Sequence, residues 1–199
     1  MTIGELIVSE RKEYLEALAL SVDEQKKAHK KVASEVLIEM NTRDVSLPYR
    51  MMRPDFLLTE ESGKTRVIEV NKDAYVSFDP YLMTLQNGLS VVFHPFHWNG
   101  IEFRTRSTQV DWGRLEDWTK FWVDVTDSRY QPTKEWLDVV HNVTRPAVEN
   151  GVSSFSVDFG TAPTDALNQL FEIFPADDKI EVGSFSMIEM PTSRHSQRR

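Results

Sequence analysis

The stretch RPDFLLTEESGKTRVIEVNK, residues 53–72, decides the fold class. Read from Tyr49, the segments YRMMRPDFLLTE and TRVIEVN follow the two-residue period of strands. They are joined across ESGK, where Gly63 supplies the turn, so a β-hairpin is predicted. Further along, LSVVFHPF and GIEFRTR flank HWNG. The Asn99-Gly100 pair is the strongest short turn signal in the chain and predicts a second hairpin.

Helical spacing surrounds these strands. Tyr14, Leu15 and Leu18 form an apolar face, Ser21 and Glu24 spell a capping box, and Ala28, Val32, Val36 and Met40 recur every four residues. Two helices, or one bent helix, are expected over the first 40 residues. Asp111 is a good N-cap for a helix with Leu115, Trp118, Trp122 and Val125 inward and Phe121 widening the stripe. PTKEWLDVVHNV opens with Pro132, places Trp136, Val139, Val140 and Val143 on one helical face, and is interrupted by Pro146. VSSFSVDF alternates as a strand. Thr161 can cap APTDALNQLFEIF, with Leu167, Leu170, Phe171 and Phe174 inward, and KIEVGSFSM closes as a strand. The predicted class is α+β, with N-terminal helices on a mainly antiparallel sheet and a C-terminal strand-helix-strand unit. The alternative is a nuclease-like core with a parallel element. A compositional seam at Arg106–Asp111 suggests segments 1–106 and 107–190, or one continuous domain, followed by a disordered basic tail over 191–199.

Composition narrows the functional classes. The chain has 199 residues, 40% of them hydrophobic, and no cysteine. A real core is therefore available, while disulfides, thiolate nucleophiles and cysteine zinc sites are excluded. The net charge of −8 is unevenly placed, because residues 107–190 carry six basic against fifteen acidic side chains. A surface of that sign repels nucleic-acid phosphates and attracts basic partners. No apolar run approaches a membrane span, and the N-terminus lacks the basic start of a signal peptide, so a cytoplasmic location is expected.

Asp55 and Glu69, on paired strands, resemble the metal-binding acids of the PD-(D/E)XK nuclease superfamily, with Lys72 nearby. The resemblance implies a Mg²⁺ site at Asp55 and Glu69 and a catalytic lysine. Here the lysine is out of register: side chains alternate along a strand, so Glu69 and Asn71 share a face and Lys72 points to the other.

His94 and His97, in FHPFHW, are three apart, which suits a helix, and Pro95 argues against one. A third ligand would have to come from His141, Asp124 or Asp158, so His94 and His97 read as packing histidines beside Trp98. Trp118, Trp122 and Trp136 fit core stripes. The chain has no G-x-S-x-G, P-loop or G-x-G-x-x-G spelling.

In WVDVTDSRY, Asp124 and Asp127, with Glu116 and Asp117 before them, concentrate negative charge towards a helix end, where the dipole disfavours anions. Arg129 and Tyr130 flank that charge, an arrangement suited to a basic protein surface. The acidic, cysteine-free C-terminal half, with FSVDFGTAPTDALNQLFEIF followed by IEVGSF, resembles the immunity proteins of bacterial toxin and immunity pairs. That resemblance implies a non-enzymatic protein that covers the basic cleft of a toxin, with no cofactor.

Overall fold

The computed structural model describes residues 1–28, 31–42, 45–70, 76–131 and 133–185. Its elements confirm an α+β architecture. Helix α1 (Ile3–Ala28) is followed by β1 (Lys31–Ser34), β2 (Ile38–Glu39), a 3-10 turn at Leu47–Arg50, β3 (Met51–Met52), β4 (Phe56–Thr59) and β5 (Thr65–Ile68). Then come β6 (Tyr81–Thr84), β7 (Ser90–Phe93), β8 (Ile101–Thr105), α2 (Trp112–Val123), β9 (Asn142–Val143), β10 (Ala147–Glu149), β11 (Val152–Asp158), α3 (Thr164–Phe171) and β12 (Lys179–Gly183).

The hairpin expected from residues 53–72 is β4–β5, antiparallel with Phe56 opposite Ile68 and Thr59 opposite Thr65. Gly63 closes it at φ 81°. With β1 these strands form a three-stranded sheet in the order β1-β4-β5. The larger sheet runs β10-β11-β8-β12-β7-β6, with β9 also on β11. All its pairs are antiparallel except β12 with β7.

Alternation along these strands sends Ile101, Phe103, Phe155, Val157, Ile180, Val182, Val91 and Phe93 to one face. There they meet Leu115, Trp118, Leu167, Phe171 and Phe174 in one cluster that draws on both sides of the compositional seam. Phe103 and Phe155 stack with centroids 5.1 Å apart. Helices α2 and α3 are tied by Trp118 Nε1 donating to Ala166 O and Trp122 Nε1 to Gln169 Oε1, so both indoles bury their polar edge with a partner.

Five expectations are corrected. The second N-terminal helix is absent: Val32 lies in β1 opposite Leu58, and the chain is extended again at β2. A four-residue spacing satisfies a strand as well as a helix, and β-branched Val32 and Val36 favour the strand. The predicted hairpin of residues 89–106 does turn, Gly100 N–H donating to His97 O. Yet β12 enters between β7 and β8 and takes the edges of both. The seven intervening residues, Pro95 among them, leave the strands apart, and Gly183 lets β12 approach where a Cβ would stand 2.7 Å from His94 Cβ.

The helix expected from Pro132 does not form; residues 136–141 run irregularly, and Asp138 adopts φ 57°. Their backbone donors find other acceptors: Leu137 N–H on Glu35 Oε2, Val139 N–H on Thr161 Oγ1, Val140 N–H on Trp122 O and His141 N–H on Asp158 O. Pro163, not Thr161, precedes α3 as its N-cap. Phe121 is exposed, lying outside the apolar stripe. The basic tail lies outside the described residues.

Candidate functional site

Five distant parts of the chain converge on His141. Its Nε2 is 2.9 Å from Glu35 Oε1 and its Nδ1 is 3.0 Å from Asp55 Oδ1. Thr161 Oγ1 donates to Glu35 Oε1 at 2.5 Å, and the Tyr14 hydroxyl of α1 donates to Asp55 Oδ1. Asp55 Oδ2 accepts the Val70 N–H. Glu35 reaches in from a left-handed backbone position, φ 52°, that costs roughly 1–2 kcal/mol for a residue with a Cβ. All of these side chains are buried.

Burial alone would disfavour the imidazolium. The hydrogen bonds to Asp55 and Glu35 and the charge of Asp158 outweigh it, so His141 titrates well above its usual range. Burial and the charges of Asp158 and Asp55 hold the Tyr14 phenol well above its ordinary value. The cluster is a hydrogen-bonded centre joining α1, the β1–β2 connection, the start of β4, the 137–143 strap and the end of β11.

Beside it opens a cleft of about 350 Å³ lined by Glu69, Asn99, Asn142, Thr144, Ser156 and Asp158, with Met52, Arg53, Gly100 and Val157. Glu69 is exposed on its outer side; partial burial against the cleft and the neighbouring charge of Asp55 raise its carboxyl to about 7 despite His141 and a hydrogen bond from the Asp55 backbone N–H. Asp158 is also raised to about 7, chiefly by burial, with Asp55 and Glu69 adding to it and His141 and the Gly160 N–H opposing it. Asn142 Oδ1 is buried with no hydrogen-bond partner. The Asn99 side chain donates to Val70 O at 3.0 Å, so the turn read from Asn99-Gly100 also anchors the segment after β5.

The nuclease-like pair is divided between these two environments. Asp55 is 1% exposed with both oxygens engaged, whereas Glu69 lines the cleft. Lys72 lies outside the described residues. Among the described residues, no group of three or more His, Asp and Glu side chains is placed to hold a metal ion. His94 packs edge-on against Phe185, and His97 is buried with its backbone N–H on Ser184 Oγ.

The acidic run after α2 is partly internal. Asp124 is buried as the left-handed C-cap, accepting from Ser128 N–H, Ser128 Oγ and Arg129 N–H. Arg53, itself buried, reaches both Asp124 Oδ2 at 3.3 Å and Asp127 Oδ1 at 2.8 Å. The helix-end cost of these anions is thus met by local donors and a buried guanidinium. Asp117 stays in solvent and pairs with Lys120, and Glu116 is half-buried. Arg129 lies over the Phe121 and Trp122 rings and donates to Asp138 O and Phe121 O. Tyr130 is 50% exposed.

Sequence reasoning missed Tyr14, Glu35, His141, Asp158 and Thr161 as one polar cluster. The usable signal was chemical: Glu35 and His141 both fall in segments whose apolar residues were expected to be core. Comparison with protein-family models, curated proteins and solved structures returned no match. Among the described residues no helix is long and apolar enough to cross a membrane.

Proposed function

We propose that this chain is a non-enzymatic, acidic binding protein that neutralises a basic protein partner, such as a bacterial toxin, in the cytoplasm. The observation that carries the reading is the state of Asp55. Its carboxylate is enclosed by Tyr14, His141 and the Val70 N–H, so the acid that a metal-dependent nuclease needs open is engaged in holding the fold together. The excess acid of residues 107–190 supplies steering towards a cationic surface over a Debye length of about 8–10 Å. Asp117 and Asp127, near the exposed Tyr130 in sequence, offer charge beside an aromatic anchor.

Co-purification from the native host at low salt tests this reading. A single basic protein, released by salt and less toxic to cells when the chain is co-expressed, is expected. Recovery of acidic partners, or of none, counts against it.

The second reading is a metal-dependent nuclease using Asp55 and Glu69. It is favoured by the hairpin that places those two acids side by side just beyond the paired ends of β4 and β5, the Asp55 N–H bonding to the Glu69 carboxyl. Plasmid nicking that requires Mg²⁺ or Mn²⁺ and disappears in both Asp55→Ala and Glu69→Gln would establish it in place of the binder.

A further inference from the structure

Asn-Gly pairs occur at residues 87–88, 99–100 and 150–151, each of them in a turn. In such a pair the glycine nitrogen, with no Cβ beside it, can reach the carboxamide carbon of the asparagine before it. The same latent chemistry is therefore written at three places, and the fold decides where it is free to run.

Two of the pairs are restrained. Asn99 Nδ2 donates to Val70 O at 3.0 Å, and the Gly100 N–H donates to His97 O at 3.0 Å. Asn87 Oδ1 accepts the Leu89 N–H at 3.1 Å, and the Gly88 N–H donates to Leu85 O at 3.0 Å. Gly88 is also packed so that a Cβ would stand 2.9 Å from Asp177 Oδ1. A bonded amide nitrogen must give up its hydrogen bond before it can attack, and a bonded carboxamide must give up its orientation.

At 150–151 both restraints are missing. Asn150 and Gly151 are exposed, and nothing lies within 4 Å of the position that a Gly151 Cβ would take. Among the described residues, neither the Asn150 side chain nor the Gly151 N–H makes a hydrogen bond. The pair is the two-residue loop between β10 and β11, with Glu149 opposite Val152 and φ of 51° and 73°. Positive φ at both positions makes it a type I′ turn. It lies at the edge of the larger sheet, on a strand of three exposed residues that opens at little cost.

We propose that Asn150 is a spontaneous deamidation site, converted through a succinimide to aspartyl and isoaspartyl forms, the second of which accepts methyl in isoaspartyl repair. Solvent base takes the Gly151 amide proton, the nitrogen bonds to Asn150 Cγ, and the Cγ–Nδ2 bond breaks to release ammonia. Water then opens the ring. Attack at Cγ leaves an aspartyl residue; attack at the Asn150 carbonyl carbon routes the main chain through Cβ and Cγ and frees the α-carboxyl. Water enters, ammonia leaves, and nothing is oxidised or reduced.

The two products differ in what they do to the sheet. An aspartyl residue suits the same turn and keeps the hairpin. The isoaspartyl form lengthens the main chain of a loop whose length sets the register, so β10 loses its pairing with β11. No residue of β10 is buried, and β11 remains held by β8 and β9, so the core stays closed. The inference stands on this loop and is independent of the proposed binding function.

The test is incubation of the full chain in mildly alkaline buffer, read by peptide mapping in a mass spectrometer. Transfer of labelled methyl from S-adenosylmethionine by an isolated isoaspartyl methyltransferase is the second readout. Asn150 should convert about tenfold faster than Asn87 or Asn99, the factor that about 1.4 kcal/mol, one net hydrogen bond, supplies. In urea the three sites should convert at similar rates. Asn150→Gly, which keeps a residue suited to positive φ, should abolish methyl uptake and leave the hairpin amide signals in place. The isoaspartyl fraction should exchange amide hydrogen faster at residues 147–149, with β8 and β12 unchanged.

Equal conversion of the three sites in the folded chain, faster conversion at Asn87 or Asn99, methyl uptake undiminished by Asn150→Gly, or conversion without isoaspartate overturns the site. Faster exchange spreading into β8 or β12 overturns the confinement of its effect to β10.

Discussion

His141 Nδ1 lies 3.0 Å from Asp55 Oδ1, a contact between residues brought together from the strap before β9 and the start of β4. Removing the imidazole leaves Asp55 and Glu35 buried without their shared cation. Breaking such a pair costs about 3–5 kcal/mol, so His141→Ala should lower the urea midpoint severely or prevent folding. A loss under about 1 kcal/mol would show that the cluster tolerates its charge unpaired.

The same centre sets the pH response. Glu69 and Asp158 titrate at about 7 in the folded chain, against ordinary values of 4.5 and 3.8, so the folded state holds more protons than the unfolded state between about pH 4 and 7. Stability must fall as pH rises through that window. His141, also raised, contributes fully below its ordinary 6.5 and loses that contribution as pH climbs through its higher folded value. Asp124 is lowered by its Ser128 and Arg129 hydrogen bonds, which outweigh burial, so its contribution disappears only in stronger acid. Urea midpoints should therefore peak near pH 4, the low end of that window, and decline towards pH 8.5, with a shallower decline in Glu69→Gln. A midpoint that rises over that interval contradicts the assignment.

Arg53 is as demanding. Its guanidinium satisfies three buried carbonyls and bridges Asp124 and Asp127. An ammonium cannot reproduce a five-donor fork, so Arg53→Lys and Arg53→Met should each destabilise by about 3–5 kcal/mol in chemical denaturation. Full rescue by lysine would mean that charge alone matters.

Two glycines offer a controlled contrast. Gly160, at φ 48°, lies against His141 so closely that a Cβ would stand 2.5 Å from Nε2. Gly63, at φ 81°, has nothing within 4 Å of the same position. Gly63→Ala should cost about 1–2 kcal/mol, from backbone conformation alone. Gly160→Ala adds displacement of a clamped ring and should cost about 1–3 kcal/mol more. Equal melting-temperature losses in the two variants would show that the ring yields freely.

The hairpin at residues 53–72 was legible because its information is local: alternation on both sides of one glycine turn. The α2 stripe and the strand-helix-strand end were legible for the same reason. The polar cluster was not, since Glu35 and His141 are joined across 106 residues and no local period marks that approach. Val139 and Val140 gave a helical spacing, yet their N–H groups bond to Thr161 and Trp122, so tertiary acceptors replaced the helix ladder. Asp124 was read as surface charge because its inward partner, Arg53, lies 71 residues away.

The placement of β12 also orders events in time. Strands β7 and β8 emerge from synthesis well before Lys179–Gly183, yet the centre of the sheet cannot close until β12 arrives between them. Until then two hydrophobic strands offer free edges, a state prone to mispairing and slow to resolve because its contacts are distant in sequence. A chain ending at Asp178 should accordingly remain protease-sensitive and aggregate, whereas adding residues 179–185 should bring protection to β7, β8 and β11 in a single step. Gradual protection with chain length would place the nucleus elsewhere.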